Sequence, residues 1–217
     1  MLSEISIEIL QRCPNRCIYC SSHSNPQATH LIPFEIIKNV IDDAKNLGCK
    51  TVCLSGGEPF LHPQILDIIS YIAKQQLTCY VYTSGIYMKD EVYSSLPNEY
   101  IEAIRGMVDK VIFNVEADSS DLYDQIMGTD VGGFDMMKKS INDCVSSGLV
   151  VETHVVPMQV NFKHLKSIFE MCYQLGVSKV SILRLVLQGR ALENLSLVKL
   201  TGEESREVTK LIKALKE

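Results

Sequence analysis

Apolar residues recur along the chain in two alternating patterns. Stretches with an apolar residue at every second position predict strands, and stretches with apolar residues three or four positions apart predict helices. Six segments predict strands: 3–10, 51–54, 77–82, 108–115, 149–156 and 180–186. Helices are predicted between and after them: 33–47, a segment starting at 63, two pieces within 88–106 broken at Pro97, 134–147, 161–175 and a segment starting at 201.

Strands that alternate with helices favour an α/β fold with a parallel sheet and right-handed crossovers. Such a sheet is either open and doubly wound or curled into a barrel, and in both cases reactive groups gather at the carboxyl ends of the strands. Polar or glycine-rich loops follow five of the predicted strands: the loops at 13–20, 55–59, 83–85, 116–118 and 188–190. We therefore expect the functional site at this edge of the sheet.

The composition is that of a globular domain. The 217 residues are 46% hydrophobic and 22% charged, with a formal net charge of −5. This content predicts one domain over 1–217 and argues against disorder. No apolar run reaches the roughly 18 residues of a membrane span, no secretory signal is visible, and no basic patch favours nucleic acid. Eight cysteines without an export signal favour the reducing cytoplasm.

Three cysteines stand apart from the others. Cys13, Cys17 and Cys20 lie within a segment of eight residues. Pro14 and Asn15 break regular structure there, so the segment is predicted to be a loop. The remaining five are interpreted as small buried hydrophobes: Cys49, Cys53, Cys79, Cys144 and Cys172. Three thiolates suit a zinc site completed by His23, and they equally suit an iron–sulfur cluster with one open iron. Both metals accept soft thiolates, so the donor type leaves the two open.

Two motifs at successive strand ends identify a family resemblance. Cys13-Pro14-Asn15-Arg16-Cys17-Ile18-Tyr19-Cys20 follows the first strand, and Gly56-Gly57-Glu58-Pro59 follows the second. Together they resemble the radical S-adenosylmethionine (radical SAM) enzymes over about 4–190. The resemblance implies a partial (β/α)6 barrel and one [4Fe–4S] cluster held by the three cysteines. It also implies S-adenosylmethionine bound at the open iron, and its reductive cleavage to a 5′-deoxyadenosyl radical.

The resemblance assigns cofactor roles around the two motifs. It places Tyr19 near the cluster and the adenine, and Gly56 and Gly57 against the methionine moiety, where a missing Cβ allows close approach. Glu58 either accepts the substrate ammonium or caps the following helix. Pro59 sets a rigid turn.

Further roles fall on the later strand ends. Ser84 lies near cofactor or substrate, and Asn114 and Glu116 suit hydrogen bonds to the ribose or carboxylate of the cofactor. Arg184 is expected to be buried, with a carboxylate partner such as Glu116 or the cofactor. Val186 is expected to form the apolar wall for the adenine. Candidate substrate contacts are His23, Ser84, His154, Gln188 and Arg190.

The resemblance also implies partners. The radical would abstract hydrogen from a small-molecule or peptide substrate, and an electron donor such as flavodoxin or ferredoxin would reduce the cluster. No membrane is expected. Many relatives carry a cysteine-rich C-terminal extension, so we expect either a minimal domain or one whose C-terminal part is missing from the chain. Two alternatives remain: a zinc-stabilised binding module using Cys13, Cys17, Cys20 and His23, and an α/β protein that binds phosphate at Gly56-Gly57.

Overall fold

Six parallel strands form the central sheet of the structure, a computed structural model that describes residues 2–129 and 131–215. The strands lie in the order β1-β2-β3-β6-β7-β8. Their bounds are Glu4–Glu8, Thr51–Ser55, Thr78–Thr83, Lys110–Asn114, Val151–Val155 and Lys179–Ile182. A separate antiparallel hairpin contains β4 and β5, Ile86–Lys89 and Val92–Ser95. The predicted α/β class with six parallel strands is confirmed.

Helices connect and flank the strands. The longer ones are α1 to α6, which span Phe34–Asn46, Ile65–Lys74, Asn98–Ile104, Ser120–Met127, Gly133–Ser146 and Leu165–Gln174. After β8 come the short α7 and α8, and then α9: Arg190–Glu193, Leu195–Val198 and Gly202–Ala214. Thr201 and Glu204 form the capping box predicted for the last helix. The predicted 1–217 domain includes residues 1, 130, 216 and 217, which lie outside the described residues.

Three of the predicted elements are wrong in part. The first piece of the helix predicted over 88–106 is the β4–β5 hairpin, whereas the second piece is α3. The strand predicted over 180–186 ends at Ile182, so the following residues leave the sheet. The polar loop predicted after the fourth sheet strand contains α4, which the apolar spacing of Leu122, Tyr123 and Ile126 could have predicted.

The two faces of the sheet differ in chemistry. One face is apolar and packs against the helices, as the burial of Val52, Leu54 and Val81 shows. The opposite face is polar. Tyr82 and His154 lie there with ring centroids 5.4 Å apart. The polar face leads upward to the carboxyl ends of the strands, where the predicted loops meet.

Candidate functional site

A cavity of about 290 Å³ opens at the carboxyl end of the sheet. Ten of the thirteen residues predicted to bind metal or cofactor line it, which places the two motifs at one site. These ten are Cys13, Cys17, Tyr19, Cys20, Gly56, Gly57, Ser84, Asn114, Arg184 and Val186. Glu58, Pro59 and Glu116 do not line the cavity and lie behind its wall.

The cysteine loop is anchored to the end of α4. The amides of Arg16 and Ile18 donate to the carbonyls of Met127 and Ile126, at 2.8 and 2.9 Å. The last carbonyls of a helix lack partners within it, so the loop satisfies both. Gly128 is left-handed with φ +63°, and a Cβ there would lie 2.7 Å from the Arg16 carbonyl oxygen. The missed helix is therefore one of the supports of the predicted ligands.

The two glycines of the second motif pack on the chain leading into the cysteine loop. Gly57 donates to the Leu10 carbonyl at 2.7 Å, and Glu58 donates to the Arg12 carbonyl at 2.9 Å. A Cβ on Gly57 would lie 2.1 Å from the Arg12 carbonyl oxygen, and one on Gly56 would lie 2.5 Å from that of Leu10. Glycine is needed here for contact with the protein's own backbone, whatever it also allows for a cofactor. These amides are engaged, which weakens the alternative of a phosphate-binding loop.

Arg190 holds the same loop from the opposite side. Its amide donates to the Cys20 carbonyl at 2.9 Å, its Nε to the Cys17 carbonyl at 2.8 Å and its Nη2 to the Ser24 carbonyl at 2.7 Å. Asn194 adds a bond from Nδ2 to the Ile18 carbonyl at 3.2 Å. The donors of Arg190 therefore position the ligand loop; Arg190 also lines the cavity, and its predicted contact with substrate stays a prediction. The sequence held no local signal for the positioning role, because the partners are more than 160 residues apart.

Glu58 joins the second and third strand ends. Its carboxylate is buried and accepts bonds from Thr83 Oγ1 at 2.7 Å, the Ser84 amide at 2.8 Å and Ser84 Oγ at 2.7 Å. It also caps the 3-10 turn Pro59–Leu61 by accepting from the Phe60 amide at 3.4 Å. Glu58 thus caps this short turn and not the helix predicted to follow, whose N-cap is Gln64, and its role toward an ammonium group stays a prediction. Burial raises the pKa of Glu58 to about 7 against these hydrogen bonds, which lower it.

Glu116 supports the wall of the cavity from behind. Its buried carboxylate accepts from the Val156 amide at 2.8 Å, and the Tyr19 hydroxyl lies near it. Burial raises the pKa of Glu116 to about 8, although the polar contacts with Val156, Tyr19 and Asn114 lower it. Glu116 thus lies behind Tyr19, which itself lines the cavity.

Asn161 ties the fourth and fifth sheet strands together. It was predicted to cap a helix, but its side chain makes no capping bond. Its Oδ1 accepts from the Met158 amide at 2.7 Å, and its Nδ2 donates to the carbonyls of Glu116 and Val156 at 3.0 and 3.1 Å. A fully buried amide thereby fixes the segment that carries Glu116.

Asp118 lies two residues after Glu116, in the loop that follows β6. It accepts hydrogen bonds from Ser167 Oγ and from His164 Nδ1, the latter at 3.1 Å. Partial burial acts to raise its pKa, but the bonds from Ser167 and His164 outweigh that effect, and the pKa lies below its usual value. This contact joins the loop to α6.

The other predicted contacts lie at the rim or outside the cavity. Arg184 was expected to be buried with a carboxylate, but it is exposed and forms no ion pair within the described residues. It lies after β8 has ended. Val186 lines the cavity at its rim and is 59% exposed, and its role as the adenine wall stays a prediction. His154 lies beside Tyr82 and does not line the cavity, and Gln188 is exposed.

The donor set fits an iron–sulfur cluster better than zinc. Zinc bonds thiolates at about 2.3 Å, so its four ligands must converge on one point. His23 does not line the cavity, and its Nε2 lies 3.9 Å from Glu193 Oε1. Among the described residues, no group of three or more His, Cys, Asp or Glu side chains is placed to hold a single ion. The zinc alternative is therefore not supported. In a cluster each thiolate binds a different iron, so the sulfurs need only surround a common space.

The pKa values of Cys13 and Cys17 are raised in the protein without metal, and a bound metal centre would lower them. Burial raises the pKa of Cys13 well above its usual value, and Cys17 raises it further. Burial likewise raises the pKa of Cys17 to about 12, with Cys20 adding to the effect and Arg190 opposing it. Metal coordination deprotonates such thiols outright. Ser24 Oγ, buried at the cavity wall without a partner among the described residues, is a further free polar group.

The fold and the site indicate the class of protein, and the sequence comparisons establish it. The pattern of the Radical SAM superfamily matches residues 7–193, and the chain belongs to that superfamily. It is therefore a radical SAM enzyme by family, and the cofactors of the family are a [4Fe–4S] cluster and S-adenosylmethionine.

Particular relatives show how widely the family ranges. The chain is 27% identical over 178 residues to the antilisterial bacteriocin subtilosin biosynthesis protein AlbA of Bacillus subtilis, covering 81% of this chain and 38% of AlbA. It is 24% identical over 206 residues to the AdoMet-dependent heme synthase of Oleidesulfovibrio alaskensis, covering 94% of this chain and 50% of that protein. The chain thus spans half or less of the length of these relatives.

Solved structures show the same fold. Streptococcus suis SuiB bound to S-adenosylmethionine matches with a TM-score of 0.76 at 14% identity, covering 97% of this chain and 46% of SuiB. SuiB bound to its precursor peptide SuiA matches with a TM-score of 0.75. The partial barrel of the radical SAM type is confirmed. No helix among the described residues is long and apolar enough to cross a membrane.

Proposed function

We propose that this chain is the catalytic core of a radical SAM enzyme that acts on a small molecule or, more specifically, a peptide. Cys13, Cys17 and Cys20 would hold one [4Fe–4S] cluster. The observation that carries the proposal is the convergence of these three thiols with the Gly56-Gly57 loop on one cavity. When bound, the cluster supplies the electron that cleaves S-adenosylmethionine to methionine and a 5′-deoxyadenosyl radical, which abstracts a substrate hydrogen.

The residues of the chain would bind and orient the cofactor. Gly56 and Gly57 would let the methionine moiety approach the backbone closely, since they lack a Cβ, and Ser84 and Asn114 would offer hydrogen bonds from the neighbouring strand ends. Tyr19, which lies beside Glu116, presents an aromatic face on which a base can stack. Arg184 at the rim is free of ion pairs within the described residues and so remains available to a carboxylate. Glu58 and Pro59 act indirectly, by fixing the loop that carries the glycines.

Peptide substrates are favoured by the relatives. SuiB binds the precursor peptide SuiA, and AlbA takes part in bacteriocin biosynthesis. We also propose a one-electron donor such as flavodoxin or ferredoxin. A reducing, cytoplasmic setting is supported by the eight free cysteines. The prediction that 1–217 forms a single domain is part of the same proposal. The protein that contains this domain can be longer than the chain.

The test is anaerobic reconstitution of the protein with iron and sulfide. We expect a brown protein with one cluster per chain and formation of 5′-deoxyadenosine from S-adenosylmethionine after reduction. Cys17→Ala should lose iron and cleavage to background. Cys144→Ala is the matched control, because this buried thiol lies in α5 and not at the cavity. Full cleavage by Cys17→Ala, or equal loss in both variants, would reject the proposal.

A further inference from the structure

A groove of about 930 Å³ runs along the outer edge of β8. β8 is the last strand in the sheet order and pairs with β7 alone among the described strands. The groove lies between this edge and α9, and its apolar lining includes Val180, Ile182, Val208 and Ile212. Within described α9 only Val208 is buried, so the helix covers the strand incompletely. An unpaired edge exposes backbone donors and acceptors that an added strand can use.

The groove is basic although the chain is acidic. Lys179, Arg184 and Lys199 line it, and no Asp or Glu is among its described lining residues. Lys179 lies 4.0 Å from Glu152, whereas Arg184 and Lys199 form no ion pair within the described part of the chain. The whole chain carries a net charge of −5. This local excess of positive charge suits an acidic ligand.

The groove is continuous with the cofactor cavity. Leu183, Arg184 and Leu185 line both spaces, because the chain crosses from one to the other after β8 ends. A chain lying along β8 in the direction of the cavity would therefore bring its next residue to the rim.

We propose that the groove binds an extended segment of a peptide substrate, with acidic side chains among apolar ones, as an added strand on β8. The inference rests on the proposed function and names the substrate class and where it docks. Strand addition supplies affinity through the main chain, and the pockets and charges beside it supply specificity. Symmetric pairing of two copies through β8 is disfavoured, because it brings two basic grooves together.

The test uses two short blocked peptides labelled with fluorescein. One alternates valine and glutamate, and the other alternates valine and lysine. We expect the glutamate peptide to bind by fluorescence anisotropy and the lysine peptide to fail. Hydrogen exchange should slow at residues 179–182 when the glutamate peptide binds. A glutamate peptide with alternate N-methyl amides, which cannot pair as a strand, should not bind.

Matched variants locate the charge effect. Lys199→Glu should weaken binding of the glutamate peptide roughly tenfold, since a favourable charge becomes a repulsive one. Lys50→Glu makes the same exchange at an exposed position between α1 and β2 and should leave binding unchanged. Equal affinity for the two peptides, protection elsewhere than β8, or self-association that protects β8 without peptide would each overturn the inference.

Measurements on the same protein distinguish a failure of this inference from a failure of the proposed function. Iron content and cofactor cleavage are measured without peptide. If the protein neither binds iron nor cleaves the cofactor while the glutamate peptide still protects β8, the proposed function is wrong and peptide binding in the groove is still supported. If both succeed and no peptide protects β8, the groove inference alone is wrong.

Discussion

Replacing Gly57 by alanine tests whether the second motif is glycine-rich because of the protein's own backbone. The new methyl group would lie 2.1 Å from the Arg12 carbonyl oxygen and 2.7 Å from that of Gln11. Both neighbours are backbone, so they cannot rotate away as a flexible side chain could. Either the loop at Gly57 or the chain entering the cysteine loop has to move, and the two hydrogen bonds between them at 2.7 and 2.9 Å are strained.

The magnitude follows from those contacts. Overpacking of a well-packed site costs about 1–3 kcal/mol, and each weakened hydrogen bond adds about 0.5–1.5 kcal/mol. We expect Gly57→Ala to lower the free energy of unfolding by about 3 kcal/mol. Gly106→Ala is the control: Gly106 has φ +75° but nothing within 4 Å of an added Cβ. It should cost about 1–2 kcal/mol from its left-handed backbone alone.

The assay is urea unfolding of both variants, together with iron content after anaerobic reconstitution. The displaced backbone continues into Cys13, so Gly57→Ala should also bind less iron, whereas Gly106→Ala should bind as much as the parent. If Gly57→Ala costs no more than Gly106→Ala and keeps its iron, the close contact does not position the ligand loop and the reasoning is refuted.

Three further changes test the supports of the site. Arg190→Lys keeps the charge but loses the forked geometry, so we expect a loss of about 2 kcal/mol in urea unfolding and faster iron release to a chelator; unchanged release would contradict the clamp. Asn161→Asp keeps one accepted bond and loses two donated ones, which should cost about 2 kcal/mol in thermal unfolding. The lowered pKa of Asp118 stabilises the fold above the unfolded pKa near 4, and this contribution is lost as pH falls through the folded pKa. Asp118→Asn should therefore cost about 1 kcal/mol at pH 7, with the difference disappearing in acid; a difference that persists unchanged in acid would contradict this reasoning.

Sequence periodicity predicted the sheet because each buried strand is apolar and bounded by turn residues. It failed for the β4–β5 hairpin, whose turn residues Asp90 and Glu91 both have positive φ, 49° and 62°. Such turns usually contain Asn-Gly or Asp-Gly, so Asp-Glu gave no turn signal and the segment resembled a helix. Arg184 was misjudged for a related reason: the strand ends at Ile182, and the alternation that implied burial does not continue.

For the candidate site, the sequence predicted the residues that line the cavity better than the residues that support them. Residues that line the cavity follow strand ends directly, so short motifs reveal them. Residues that hold those motifs in place were missed or misassigned, because their contacts are distant in sequence. Arg190 bonds Cys17 across 173 positions, and Asn161 bonds Glu116 across 45. No local pattern encodes such a pair, and only the assembled fold brings them together.

The cysteine loop shows why the support has to be distributed. It contains no helix or strand of its own, so its backbone groups need partners elsewhere or they are buried at a cost. The loop after β2, the end of α4 and the start of α7 supply those partners, through contacts at Leu10, Arg16 and Cys20 among others. An isolated loop would lack all three supports and would have to be ordered when the metal binds. The supports reach from residue 10 to residue 194, so the loop depends on contacts spread over almost the whole length of the family match at 7–193.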